Sequence, residues 1–164
     1  MYRMHRVFCA SAWELEGERR AFYDAITQVN EANAMRAGVL FVPVSLMNVR
    51  DKRPIQHALE ENIQACSHYM LAVSGGWGPL ERNFKRDYRL ANECCADPAL
   101  PMRSVSLLVR REPGEPSPFA QELSTAGIAF AEFVTLEEFQ GHVRQLLVAS
   151  LAAEVCHAAG AAAV

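Results

Sequence analysis

The sequence lacks the compositional extremes that would mark a nucleic-acid-binding, disulfide-rich or metal-binding protein. Its 164 residues carry a formal net charge of −3, and 21% of them are charged. The absence of a basic excess argues against a nucleic-acid partner. The five cysteines are an odd number without repeated spacing, which argues against a disulfide framework or a zinc site. We therefore expect a reduced, cytoplasmic location and neither a metal ion nor a cofactor.

Long, strongly apolar runs are also missing. The segment from Leu146 to Val164 is the candidate for a membrane span, but Glu154, His157 and many alanines interrupt it. A span needs about 20 strongly apolar residues, so we expect a soluble helix here and no membrane partner. We predict that residues 1–159 form a single domain and that residues 160–164 form a disordered tail.

The motifs of several common enzyme families do not occur. The chain has no Gly-x-Gly-x-x-Gly, no Gly-Lys-Ser/Thr phosphate loop and no Gly-x-Ser-x-Gly turn. The first predicted strand is not followed by the paired acids of a receiver domain or by the hydroxyl-rich phosphate loop of a flavodoxin. Function therefore has to be argued from individual residues.

What the chain does contain is a regular alternation of short apolar runs and longer helical periods. The predicted strands are Arg6–Ala10, Val39–Val44, Tyr69–Val73, Ser104–Val109 and Ile128–Phe133. The predicted helices run from Trp13 to Ala34, from Pro54 through Ile63, from Asn83 to Cys95, from Gln121 to Thr125, and onward from a capping box at Thr135 and Glu138. This alternation predicts an α/β protein of three layers, α/β/α, with a five-stranded parallel sheet in the flavodoxin-like order 2-1-3-4-5.

Two strand ends predict the position of a site. The segments Val7–Leu15 and Tyr69–Pro79 each break from an apolar run into small residues and then lead towards a helix. In an open α/β sheet, ligands bind outside the carboxyl ends of the strands. If the two strands are neighbours, their ends form one crevice. Its small residues would be Ser11, Ser74, Gly75 and Gly76.

Polar residues interrupt the apolar stripe at the start of the first helix. Glu18 and Arg19 lie between Leu15 and Phe22, so at least one of them should face the sheet. A structural ion pair and a component of the site are both open interpretations of this pair. Glu14 shares a face with Glu18, and the helix dipole alone would explain a carboxylate there.

A carboxylate also interrupts the helix that follows the third strand. Asp87 lies on the apolar stripe between Phe84 and Ala91. On an inward face it would be partly desolvated, which raises the pKa of a carboxyl group and suits it to act as a base or an electrostatic stabiliser. The alternative is a structural role. In that case Asp87 would be paired with Arg86, Arg89 or Arg19.

Trp77 and Glu81 lie in the segment between the third strand and this helix. The glycines around Trp77 allow a ligand to approach the backbone closely, and the indole could stack on a planar base or simply close the edge of the core. Glu81, four residues later, is the competing catalytic carboxylate, with an exposed and solvated position as the alternative.

Three blocks of the sequence together resemble the TIR-like domains found at the N-termini of signalling proteins that carry NACHT or TPR modules. The blocks are Val7–Leu15 with Glu18 and Arg19, Ala58–Cys66 with Gly75–Pro79, and Asp87–Ala91. The resemblance covers residues 6–91 in the right order. It departs from the family pattern where Ala10 replaces a hydroxyl residue and Glu14 replaces an aspartate.

The resemblance implies a ligand class. TIR domains belong to a superfamily with the nucleoside deoxyribosyltransferases, whose enzymes cleave N-glycosidic bonds in NAD or nucleosides with a glutamate near the helix after a middle strand. The spacing from Trp77 to Glu81 is similar to a Trp-to-Glu spacing of TIR domains, so Glu81 or Asp87 would be catalytic. The expected ligand-binding residues are Ser11, Glu14, Glu18, Arg19, Ser74, Gly75, Gly76 and Trp77.

Two functions follow as hypotheses. The first is a domain of stress or defence signalling that binds a nucleotide or NAD-type small molecule and hydrolyses its N-glycosidic bond. The second is a non-catalytic interaction module that forms a homodimer through its long last helix, which has an apolar stripe and few charges.

Overall fold

A central parallel sheet organises the molecule. The computed structural model describes residues 1–12, 14–44, 55–114 and 116–161, and in them the sheet has five strands. The strands are β1 (Arg3–Ser11), β2 (Val39–Val44), β3 (His68–Ser74), β4 (Ser104–Arg110) and β5 (Ala131–Phe133). All neighbouring strands are parallel, and their order is β2-β1-β3-β4-β5. The predicted strand order is confirmed.

Helices cover both faces of this sheet. They are α1 (Glu16–Val29), α2 (Ile55–Gln64), α3 (Phe84–Ala96), α4 (Pro118–Thr125) and α5 (Leu136–Ala161). Buried residues of α1 and α5 share one apolar core with the sheet, and those of α2, α3 and α4 share the other. The predicted three-layer α/β/α class is therefore confirmed.

The two cores follow from the alternation of side chains along each strand. In β1, Val7 and Cys9 face the core of α1 and α5, whereas Phe8 and Ala10 face the opposite core. The ring of Phe8 stacks on Tyr69 of β3 with centroids 5.7 Å apart. Because both faces are buried, the strands read as nearly continuous apolar runs.

The first strand and the first helix differ from their predicted bounds. β1 begins at Arg3, three residues early, because the polar start of the strand pairs with β2 and His5 is buried there. Trp13, the predicted start of the first helix, lies outside the described residues, and α1 begins at Glu16. After α1 the chain continues as a π-helical turn, Asn30–Ala34, within the predicted range.

The later elements deviate for local reasons. α4 begins at Pro118 rather than Gln121, because the Ser117 side chain caps it and proline suits a first helical turn. β5 lacks its predicted first three residues, since the backbone of Ile128 still bonds to Leu123 of α4. The bounds of β3 and α3 shift by one residue at both ends, and β4 extends one residue further than predicted. Pro54 lies outside the described residues.

The last helix begins as predicted. The Glu138 backbone donates to Thr135 Oγ1 at 3.1 Å, and Glu138 Oε2 accepts hydrogen bonds from the backbone of Val134 and Thr135. The predicted capping box is thus confirmed. The helix extends to Ala161, and residues 162–164 lie outside the described part of the chain. Among the described residues, no helix combines the length and the apolar character needed to cross a membrane.

A side chain closes the exposed edge of β2. The Asn30 amide donates to the Phe41 carbonyl at 2.9 Å and accepts from the Phe41 N–H at 2.9 Å. β2 is an edge strand, and its outward backbone groups would otherwise need water or another strand. Asn30 therefore takes the place of a neighbouring strand at this position.

This contact yields a stability prediction. Asn30→Ala should lower the free energy of unfolding by about 1–3 kcal/mol, because both partly buried polar groups of Phe41 lose their partner. Asn92→Ala is the control, since the Asn92 amide makes an exposed hydrogen bond to Tyr88 within α3, and it should change stability by about 0.5 kcal/mol or less. Urea denaturation measures both variants, and equal losses would contradict the assigned role of Asn30.

Candidate functional site

The carboxyl ends of β1 and β3 lie side by side, as the sequence led us to expect. The two strands pair in parallel, with Ser11 opposite Ala72. The chain leaves β1 towards α1 on one face and leaves β3 towards α3 on the other. This divergence is the topological switch point at which open α/β sheets bind ligands.

Small residues border this switch point. Ser11 ends β1 with only 3% of its surface exposed, and its Oγ makes no hydrogen bond to any described residue. A buried hydroxyl without a partner is energetically unfavourable, so Ser11 offers a group that a ligand could satisfy. After Ser74, a Cβ atom added at Gly75 or Gly76 would meet no atom within 4 Å. The backbone there faces open space.

Glu18 forms an ion pair on the α1 side of the edge. Its side chain is buried, and its Oε1 lies 3.5 Å from Nη1 of Arg110, the last residue of β4. Arg110 was not among the residues selected from the sequence. The signal that could have found it is its place at the end of a parallel strand, because the carboxyl ends of all strands meet at one edge.

Arg19 lies half-buried on the same side, whereas Glu14 is exposed in the turn before α1. Burial raises the pKa of the Cys9 thiol to about 12, and the positive charge of Arg19 opposes that rise. A thiol with so high a pKa is protonated at neutral pH and is not a nucleophile. Arg19 thus places a positive charge near this edge, and Cys9 supplies no nucleophile to it.

Asp87 lies on the other face of the sheet, enclosed by α2 and α3. Only 1% of its surface is exposed, and its Oδ1 accepts a hydrogen bond from Gln56 Nε2 at 3.1 Å. Burial raises the pKa of Asp87, and the Gln56 hydrogen bond opposes the increase. Among the described residues, the hydrogen-bond partner of Asp87 is thus a neutral amide and not Arg86, Arg89 or Arg19, the three arginines of the structural alternative. Arg86 donates instead to Glu60, at 2.6 Å.

Tyr69 is a second buried polar group in this region. Its hydroxyl makes no hydrogen bond to a described residue. Burial raises the pKa of Tyr69 well above its ordinary range, and the charge of Asp87 adds to the increase. Burial thus raises the pKa of both Asp87 and Tyr69. A tyrosine within an apolar strand is ordinary, so the sequence carried no signal for this neighbour of Asp87.

Trp77 closes the edge of the second core. Its ring contacts Tyr88 at 5.6 Å and Phe119 at 5.5 Å between centroids, and Lys85 Nζ lies 5.7 Å from the ring. These contacts favour the structural interpretation of Trp77 over stacking on a base. The backbone of Glu81 lies in a short 3₁₀ helix, Leu80–Arg82, and its side chain is outside the described part of the structure.

The structure therefore divides the candidate residues between two faces. Glu18 and Arg19 belong to the α1 side of the sheet and Asp87 to the α3 side. Two cavities of the described chain, of about 490 and 710 Å³, lie elsewhere, against α5. The described residues include no group of three or more His, Cys, Asp or Glu side chains that could hold a metal ion.

Burial of Asp87 yields a prediction about pH. Because its pKa is raised above the ordinary 3.8, the folded state binds this proton more tightly than the unfolded state. The free energy of unfolding of the wild-type protein should therefore decrease, relative to that of Asp87→Asn, as the pH rises above the ordinary pKa of 3.8. The amide oxygen that this substitution introduces can still accept the Gln56 hydrogen bond.

Urea denaturation of both proteins between about pH 3 and pH 7 measures this difference. Asp24→Asn, on the exposed face of α1, controls for the loss of a carboxylate. A wild-type protein that gains stability over Asp87→Asn with rising pH would contradict the assigned environment.

Comparison with known proteins leaves the family unassigned. No family model and no curated protein matches the chain. Among solved structures, the chain is similar to a crystal structure of the RPS4 and RRS1 TIR domain heterodimer, with a TM-score of 0.49 and 13% identity. The alignment covers 88% of this chain and 96% of that one. The fold assignment rests on the strand order and the layers described above.

Proposed function

We propose that this protein binds a nucleotide-type ligand at the carboxyl ends of β1 and β3. The observation that carries the proposal is the buried hydroxyl of Ser11 at the switch point of the sheet, which has no hydrogen-bond partner among the described residues. Beside it, the backbone of Gly75 and Gly76 faces open space, which allows the close approach that a phosphate group needs.

Charge at this edge supports a ligand with both anionic and hydroxyl groups. Arg19 and Arg110 supply positive charge on the α1 side, and guanidinium groups suit phosphate oxygens. Glu18, which pairs with Arg110, supplies an acceptor of the kind that binds ribose hydroxyls. A nucleotide combines these two kinds of group in one molecule.

The geometry supports binding more strongly than hydrolysis. A carboxylate that stabilises an oxocarbenium-like centre must contact the sugar, and Asp87 is enclosed by α2 and α3. We infer that Glu81, in the segment that leaves the edge, is the carboxylate to test for N-glycosidase activity. The resemblance to TIR-like domains makes NAD or a nucleoside the first substrate to try, and it associates the activity with cytoplasmic stress or defence signalling.

Ligand-dependent thermal stability tests the binding. NAD and nucleotides should raise the melting temperature of the wild-type protein. Ser11→Ala should retain or raise the unliganded melting temperature, because the buried hydroxyl has no described partner, but should reduce the ligand-dependent increase. Ser106→Ala is the matched control within β4. No increase with any of these ligands would refute the proposal.

Release of free base, followed by chromatography, tests the reaction separately. If the enzyme is an N-glycosidase, Glu81→Gln should abolish turnover while binding persists, and Asp87→Asn should retain it. Turnover that survives Glu81→Gln and disappears in a folded Asp87→Asn protein would assign the reaction to the buried carboxyl group instead.

Self-association through α5 is a second candidate function. Val148 and Val155 are 41% and 46% exposed, and the exposed Ala152 lies between them on the same helix face. The wild-type protein should then dissociate on dilution, and Val148→Lys with Val155→Lys should be monomeric. Light scattering measures both, and a wild-type mass equal to one chain at every concentration excludes this function.

A further inference from the structure

A second polar cluster lies at the opposite edge of the sheet, where the central strands begin. Arg3, His68 and Ser104 are the first residues of β1, β3 and β4. Together with Arg103 and with Ser150 and Glu154 of α5 they line a cavity of about 710 Å³, here called the amino-edge cavity. It is separate from the candidate site, which lies at the strands' other ends.

His68 leaves a hydrogen-bond donor available in this cavity. Its ring is 1% exposed, with Nδ1 2.8 Å from Ser104 Oγ and Nε2 3.2 Å from Ser150 Oγ. A neutral imidazole has one donor and one acceptor, so one serine donates to the ring and the other accepts from it. The accepting serine keeps its own hydroxyl proton. In either tautomer, therefore, one serine can donate to a ligand.

The arginines of the cavity are only loosely engaged. Glu154 receives its shortest contact from His5 Nε2, at 2.9 Å. Arg103 Nη1 and Arg3 Nη1 lie 3.4 and 3.8 Å from Glu154 Oε1, beyond the roughly 2.7–2.9 Å of a short charge-assisted hydrogen bond. Both arginine side chains are about half exposed. Their guanidinium groups retain donors that face solvent.

The charges of the cavity favour an anion. Two guanidinium groups face one carboxylate, Glu154. Burial lowers the pKa of His68 to about 4, with the neighbouring His5 and Arg103 adding to the effect, and burial also lowers the pKa of His5. The His68 ring is therefore neutral at neutral pH. The cluster of Arg3, Arg103, His5, His68 and Glu154 carries a net positive charge.

We propose that the amino-edge cavity binds a small phosphate-type oxyanion, held by the guanidinium groups of Arg3 and Arg103 and by a hydroxyl of Ser104 or Ser150. Guanidinium groups match the geometry of such oxygens. Arg3 and Ser104 begin strands, Arg103 directly precedes β4, and Ser150 belongs to α5. When Ser150 is the donor, the bound anion therefore joins the last helix to the start of the central strands.

Protonation should strengthen this binding. A charged His68 donates to both serines, so both hydroxyl protons become available to the ligand. A protonated His68 ring is repelled by Arg103 and Arg3, and also by His5 when His5 is charged, while Glu154 is the carboxylate that attracts it. A bound anion offsets this repulsion. Binding should therefore be accompanied by proton uptake.

Calorimetric titration with inorganic phosphate and with sulfate, at constant ionic strength, tests the site. The wild-type protein should bind both saturably, and Arg103→Gln should weaken binding about tenfold. The double variant Arg3→Gln/Arg103→Gln should not bind either anion. Arg20→Gln, which removes an exposed arginine of α1 paired with Glu16, should bind like the wild type. A phosphate monoester tested alongside distinguishes a free ion from an esterified ligand as the preferred occupant.

Three outcomes would overturn the proposal. They are no saturable binding by the wild-type protein, equal binding by a folded Arg3→Gln/Arg103→Gln protein, and binding that is lost in Arg110→Gln, which would assign the anion to the carboxyl edge. If the double variant does not fold, the affinity of Arg103→Gln alone tests the proposal. The Arg103 side chain is half exposed, so we expect this single variant to fold.

The pH dependence gives an independent readout. Sulfate keeps its charge between neutral and mildly acidic pH, so an increase in its affinity reports protonation of the protein. Affinity should rise several-fold as pH falls towards 5, and His68→Gln should still bind sulfate but with a weaker pH dependence. Affinity that is independent of pH in the wild-type protein would contradict the part assigned to His68.

Discussion

The parallel pairing of β1 with β3 is the interaction on which the rest of the structure depends. Both strands are central, and both of their faces are covered by helices. Side chains in the middle of these strands must therefore be apolar, so polar chemistry is confined to the two ends. Ser11 lies at one end of this pair and His68 at the other. The two sites proposed here follow from that confinement.

Much of the fold was predictable because its signals are local. The apolar run after Gly38 located both ends of β2, and Thr135 with Glu138 located the start of α5. The start of β1 was missed because Arg3 and His5 are polar. Their place in the strand depends on partners in β2 and α5, which are distant in sequence.

The candidate site was predictable only in part. The helical period correctly indicated that Asp87 and at least one of Glu18 and Arg19 face inward. It could not identify Arg110 and Gln56 as their partners, because each contact joins elements that only the tertiary fold brings together. Nor could it show that the sheet separates the two carboxyl groups. Helix periodicity reports which side of a helix is buried, but not which layer the helix belongs to.

The contact between Asn30 and β2 has a consequence for how this sheet could grow. Along β2, Val39, Phe41 and Pro43 direct their backbone groups away from β1, since these directions alternate along a strand. The N–H of Phe41 already donates to the Asn30 side chain, and Pro43 has no N–H to donate. An incoming strand would thus find few donors on this side. β5, by contrast, pairs with only three residues of β4. Extension of the sheet by a foreign strand is therefore disfavoured at β2, and the side that stays open to it is that of β4 and β5.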